Sequence, residues 1–201
     1  HYYLIVKCLL YKKRLINAVG DNFLFMIPGW RRLMKELKVL PGPAQECVKI
    51  LERGNLLSIS PGGVREAQFG DENYKLIWKN RIGFAKVAIE AKVPIIPMFT
   101  INIREAFVSM KVGRGCLRGI YEKTKLPVVP IYGGFPVKLK TIVGNPIPYD
   151  PNVTPEQLAK RTHDEIEKLI KQHQRLPGNI VHALLDRFHR CNHKTCKRKD
   201  K

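Results

Sequence analysis

The 201 residues, 44% hydrophobic and 26% charged, are enough for one globular domain with its own core. Thirty-six Lys and Arg against 17 Asp and Glu give a formal net charge of +19, so the expected partner is polyanionic, either nucleic acid or an anionic membrane surface. The five cysteines, at 8, 47, 116, 191 and 196, are odd in number and widely scattered, which argues against a secreted disulfide scaffold and points to a reducing compartment.

Taken in chain order, Tyr2 to Tyr11 is an apolar run interrupted by Lys7, read as a helix and far too short for the roughly 20 residues that span a bilayer. No transmembrane helix or signal peptide is expected. Because the chain opens on His1 within that element, an upstream segment is expected. Leu15 to Gly20 suits a buried strand, and Trp30 to Leu37 a short helix after Pro28-Gly29. Pro43 to Arg53 sets Cys47, Val48, Ile50 and Leu51 at helical spacing and stops at Gly54, and Asn55 to Ser60 is the next strand. Arg81 to Ala91 is an amphipathic helix with Phe84, Val87, Ala88 and Ala91 on one face, leading into a strand over Val93 to Phe99. This alternation of strands and helices predicts an α/β fold, a mixed and mainly parallel sheet flanked by helices.

Val137 to Gly144 reads as an edge strand marked by two lysines. Thr154-Pro155-Glu156-Gln157 has the spacing of a capping box with Pro at the first helical position, opening a helix to about Gln174. A last helix from Asn179 to His189 carries Ile180, Val181, Leu184, Leu185 and Phe188 on one face, which either lies on a membrane or packs on the domain. The expected division is a domain over 1–176, an amphipathic helix over 177–189 and a basic, disordered tail over 190–201. His189, Cys191, His193 and Cys196 lack a zinc-finger spacing, and no metal site is expected.

The segment that carries chemistry is Ser58-Ile59-Ser60-Pro61-Gly62-Gly63-Val64-Arg65-Glu66, directly after a predicted strand, where open α/β sheets bind ligands. Gly62 and Gly63 let the backbone bend and approach a ligand, and their amides suit an oxygen gaining negative charge. Arg65 offers a fixed positive fork for a phosphate or carbonyl oxygen. Glu66 is expected to accept a hydroxyl hydrogen bond or to orient Arg65; the alternative is a Pro-Gly-Gly turn that merely links two elements, with Arg65 and Glu66 as a solvated ion pair. Asn102, Arg104 and Glu105 follow the strand over 93–99 and are expected either to face the same cleft or to be surface charge.

These segments resemble the glycerophospholipid acyltransferase superfamily, the PlsC-like enzymes. Ser60-Pro61-Gly62-Gly63-Val64-Arg65 occupies the place of that family's Phe-Pro-Glu-Gly-Thr-Arg block, with Gly62 for its glutamate, Val64 for its threonine and Arg65 kept. The Pro-Gly-Gly-x-x-Glu form is similar to the monoacylglycerol and diacylglycerol acyltransferase branch, with Glu66 as its glutamate. Val93-Pro94-Ile95-Ile96-Pro97 and Asp21 to Gly29 resemble flanking blocks of the superfamily. Ile101 to Glu105, Tyr132 to Pro136 and Gly144 to Tyr149 resemble a transmembrane member related to that branch.

The resemblance implies a PlsC-like fold, acyl-CoA as a substrate with no other cofactor, and a mono- or diacylglycerol hydroxyl as acceptor. It implies the cytosolic face of the endoplasmic reticulum membrane, with the anchor outside the chain. The terminal Lys197-Arg198-Lys199-Asp200-Lys201 matches a dilysine retrieval pattern. The family's catalytic His-x-x-x-x-Asp block is absent, since no histidine here has an Asp five positions on. No catalytic base is therefore expected in this chain, which should be inactive by itself. The rival reading is a basic module binding anionic lipid or nucleic acid. It leaves the glycine block unexplained, and nucleic acid is disfavoured because exposed aromatics do not interleave with the basic residues.

Overall fold

The computed structural model describes residues 8–11, 13–78, 80–110, 114–124 and 126–188. Residues 8–11 are helical, while the rest of the expected first helix and the tail after 188 lie outside the described residues.

Three strands form a parallel sheet in the order β2 (Val39–Leu40), β1 (Ile16–Val19), β3 (Leu56–Ser58). Ile16 stands opposite Leu56, and Ala18 lies between Val39 and Ser58. The connection from β2 past β1 to β3 is carried by the helix Ala44–Glu52. That helix ends as its sequence dictates, with Gly54 in the left-handed region at φ +74°.

The expected strand over Val93 to Phe99 is shifted. Regular pairing starts only at β4 (Met98–Ile101), because Pro94 and Pro97 have no N–H to give a ladder, and upstream only Ile95 bridges to Ile147. Nor does β4 continue the parallel sheet: it pairs antiparallel with β7 (Lys140–Val143), Met98 opposite Val143 and Ile101 opposite Lys140. The predicted edge strand thus forms with Lys140 exposed. A second antiparallel pair, β5 (Phe107–Ser109) with β6 (Ile131–Gly133), was not expected from the sequence.

Helix Gly83–Glu90 is the centre of the packing. Its Val87 joins Cys47 and Val48 beneath the parallel sheet, whereas Ala85 and Ala88 face Leu158 and Ala159 of helix Pro155–His173. Small side chains at 85 and 88 let the two helices approach closely, which fixes what stands at either end of helix 83–90. A third cluster, Tyr74, Phe99, Leu169 and Ile170, seats the long helix on β4. The long helix starts with the predicted capping box, Thr154 Oγ1 accepting from Gln157 N at 3.3 Å and Gln157 Oε1 accepting from Thr154 N at 3.1 Å. The last helix is Ile180–Leu185, and of its expected apolar face Val181, Leu185 and Phe188 are exposed, with Ala183 the buried residue.

Candidate functional site

The chain leaves β3 at Ser58 and turns at Pro61-Gly62-Gly63 into helix Gly63–Phe69, an element not expected from the sequence. Gly62 is required by contact and Gly63 by its backbone conformation. A Cβ on Gly62 would stand 2.5 Å from Cβ and 2.6 Å from Cδ of Glu66, because the Glu66 side chain folds back over the Gly62 Cα. Gly63 has φ +52°, and a Cβ there would lie 2.8 Å from Arg81 Nη1.

The two glycine amides are not equivalent. Gly63 N–H donates to Ser60 O at 3.0 Å, so it is not free for a ligand as the sequence reading expected. The turn is also held from outside, since Arg81 Nη1 donates to the carbonyls of Pro61 at 3.2 Å and Gly62 at 3.0 Å.

Arg65 and Glu66 part company. Arg65 is buried and its Nη2 donates to Glu122 Oε1 at 3.1 Å, across to helix Arg114–Thr124. Glu66 does not orient Arg65. Its Oε2 accepts from Ile77 N at 3.1 Å and its Oε1 lies 3.5 Å from Arg104 Nη2. Successive helix residues point about 100° apart, so the two side chains serve opposite neighbours.

Arg104 is the hub of a polar cluster. Its Nη1 donates to Asp71 O at 2.6 Å and lies 3.5 Å from Asp71 Oδ1, while Nη2 donates to Lys75 O at 3.3 Å. Its guanidinium stands 4.7 Å from the centre of the Tyr74 ring. The Tyr74 hydroxyl donates to the buried carboxylate of Glu105 and accepts from Arg104 N at 3.1 Å. Burial first, and then the hydrogen bond to Glu105, push the Tyr74 phenol up from its ordinary value, so it stays a neutral donor.

Of the three residues predicted after the third strand, Arg104 therefore meets Glu66 directly and Glu105 joins through Tyr74. Asn102 does other work. In the left-handed conformation, φ +60°, it donates from N to Gln174 Oε1 at 3.0 Å and accepts on Oδ1 from Gln174 Nε2 at 3.4 Å, tying β4 to the end of the long helix. Sequence reading missed Asp71, Tyr74, Arg81 and Glu122, whose roles come from contacts with no periodic signature.

Beside the turn lies a cleft of about 360 Å³, lined by Ser60, Pro61, Arg81, Phe84 and Lys86 among others. Among the described residues there is no cluster of His, Cys, Asp and Glu suited to a metal ion, and no helix long and apolar enough to cross a membrane.

Residues 3–101 match the family model described as Acyltransferase. A mouse protein named "DGAT1/2-independent enzyme synthesizing storage lipids" is 56% identical over 189 residues, which is 94% of this chain and 57% of that protein. The human protein of the same name is 54% identical over 188 residues, 94% of this chain and 58% of its own. Bovine 2-acylglycerol O-acyltransferase 1 is 26% identical over 184 residues, 76% of this chain and 55% of its own. The chain thus spans a little over half the length of these curated relatives. No solved structure matches it.

Proposed function

Because the chain belongs to the acyltransferase family matched by its residues 3–101, we propose that it is a glycerolipid O-acyltransferase domain taking the acyl group of acyl-CoA to the hydroxyl of a mono- or diacylglycerol. The observation that carries this reading is the Glu66 carboxylate, folded over the Gly62 turn at the end of β3 and held there by Ile77 N and Arg104. In the reaction, the acceptor hydroxyl gives its proton to a base as its oxygen bonds to the thioester carbonyl carbon. The resulting oxyanion collapses, the carbon–sulfur bond breaks, and the CoA thiolate takes up a proton. The base is not among these 201 residues, since no histidine has an Asp five positions on, so the chain is inactive without a His-x-x-x-x-Asp block. Glu66 positions the acceptor hydroxyl, and Gly62 and Gly63 set the backbone that meets the developing oxyanion.

A neutral acceptor is favoured over a phosphorylated one. Arg65, the cation that phosphate would need, is already committed to Glu122, and breaking that partly buried pair would offset the gain. The names of the relatives, storage-lipid synthesis and 2-acylglycerol acylation, support the same acceptor class. The exposed Val181 and Leu185 on the last helix, with Phe188 just after it, support action at a membrane surface, proposed to be the cytosolic face of the endoplasmic reticulum.

The test is acyl transfer from radiolabelled acyl-CoA to monoacylglycerol, diacylglycerol and lysophosphatidic acid. It compares the chain with the same chain joined to the His-x-x-x-x-Asp segment of a relative. Label in the neutral products, only in the joined protein, is expected. Transfer chiefly to lysophosphatidic acid would overturn the neutral acceptor, and no transfer by folded joined protein would overturn the acyltransferase reading.

A further inference from the structure

We infer that Arg81 is a positioning residue for the glycine turn, fixing which backbone N–H the turn presents to the reaction; this rests on the acyl-transfer reading above. The sequence separates Arg81 from Gly62 by 19 residues, and the fold brings its guanidinium onto the outer side of the turn. One nitrogen, Nη1, donates to two consecutive carbonyls, Pro61 O at 3.2 Å and Gly62 O at 3.0 Å.

Two consecutive carbonyls held by one cation define two peptide planes. In a trans peptide the C=O and the following N–H point in opposite directions. Holding Pro61 O toward Arg81 therefore sends Gly62 N–H away from it, and holding Gly62 O sends Gly63 N–H inward, where it meets Ser60 O at 3.0 Å. Gly62 is buried beneath the Glu66 side chain, its N–H has no acceptor among the described residues, and that N–H becomes the donor the turn can offer an oxyanion. Gly62 O is doubly used, because Glu66 N also donates to it at 3.2 Å in the first turn of helix 63–69. Arg81 thus locks the backbone under the very residue whose carboxylate covers Gly62. Gly63 leaves room for the guanidinium: a Cβ there would lie 2.8 Å from Arg81 Nη1.

Arg81 itself is anchored at the start of helix 83–90, its N–H donating to Trp78 O at 3.2 Å. Trp78 is buried edge-on against Phe84 at 5.5 Å and His163 at 5.2 Å, so the clamp is referred to the packed interface of helices 83–90 and 155–173. Among the described residues no carboxylate pairs with Arg81, which leaves its charge for the two carbonyls and the adjoining cleft.

The experiment has two arms. In the protein joined to the upstream block, Arg81→Ala is expected to lower kcat at least about tenfold with KM for the acyl donor changed less than about twofold. Arg81→Lys, and guanidinium ion added to Arg81→Ala, are expected to restore part of kcat, which a merely structural defect would not allow. In the 201-residue chain, hydrogen exchange of the Gly63 amide is expected to be at least about tenfold faster in Arg81→Ala while helix 155–173 is unchanged. Should that helix lose protection as well, Arg81→Lys is the deciding variant, with intermediate exchange at Gly63 expected. Wild-type exchange at Gly63 in a folded variant, or an unchanged kcat, would overturn the inference. If the unsubstituted joined protein shows no transfer, the acyltransferase reading falls, and exchange alone decides the clamp.

Discussion

Helix 155–173 and the segment from Gly62 to Glu105 are both rich in polar contacts, but the distances along the chain differ greatly. In the helix the partners are three or four residues apart: the Thr154 and Gln157 cap, Lys168 with Glu165 at 3.6 Å, and Lys171 with Glu167 at 3.1 Å. In the site they are far apart, as with Tyr74 and Glu105, separated by 31 residues, and the Arg104 to Glu66 pair. The two ion pairs of the helix are exposed and screened, each contributing at most about 0.5 kcal/mol, and the cap contributes about 1 kcal/mol. The site pairs are shielded, and removing one member strands the other. The helix should therefore tolerate loss of single polar groups, and the site should not.

That contrast can be tested in descending order of effect. Arg104→Ala removes two bonds to main-chain carbonyls and leaves Glu66 without its cation, and is expected to cost about 3 kcal/mol in urea denaturation. Gly62→Ala drives a methyl into the Glu66 side chain and is expected to cost about 2 kcal/mol, measured in the same way.

Tyr74→Phe leaves the buried Glu105 carboxylate without its hydroxyl donor, at about 1.5 kcal/mol. The pH dependence gives its sign. A phenol raised above its ordinary value contributes stability that is fully present below about pH 10 and is lost as pH climbs toward the folded value. Wild-type stability should fall between about pH 9.5 and 11 more steeply than that of Tyr74→Phe. Equal slopes would remove Tyr74 from the account.

Gln68 lies on the same helix as Glu66, fully buried, and neither atom of its amide has a hydrogen-bond partner among the described residues. Gln68→Met is expected to stabilise the chain by about 1 kcal/mol in thermal melts, a gain available only where a polar group is buried unpaired. Thr154→Ala, in the helix, is expected to cost about 1 kcal/mol by loss of the cap. A Thr154 cost exceeding that of Arg104 would invert the comparison.

The same distinction explains what could be read from the sequence. The capping box at Thr154, the stop at Gly54 and the apolar face over Val87 and Ala88 are written in neighbouring residues, and each was found where expected. The glycine pair and Glu66 were legible because they stand within one short motif. Their partner Arg81 was not, since it carries no periodic signal and comes to the turn from the start of helix 83–90; nor was Tyr74, which reaches Arg104 and Glu105 through its packing with Phe99, Leu169 and Ile170. Charge beside a glycine turn suggests a ligand-binding cation at Arg65, but a glutamate 57 residues away takes it. The strand over 93–99 failed for a local reason, since two prolines in an apolar run remove the donors that a ladder needs.

The measurement that bears most directly on the central claim is the rate of acyl transfer to diacylglycerol by the joined protein carrying Glu66→Ala, set beside the unsubstituted protein and Arg104→Lys. If Glu66, held over the turn by Arg104, positions the acceptor, Glu66→Ala should lose at least about 100-fold in kcat/KM and Arg104→Lys about tenfold, both remaining folded. Transfer by folded Glu66→Ala at the unsubstituted rate would contradict the account.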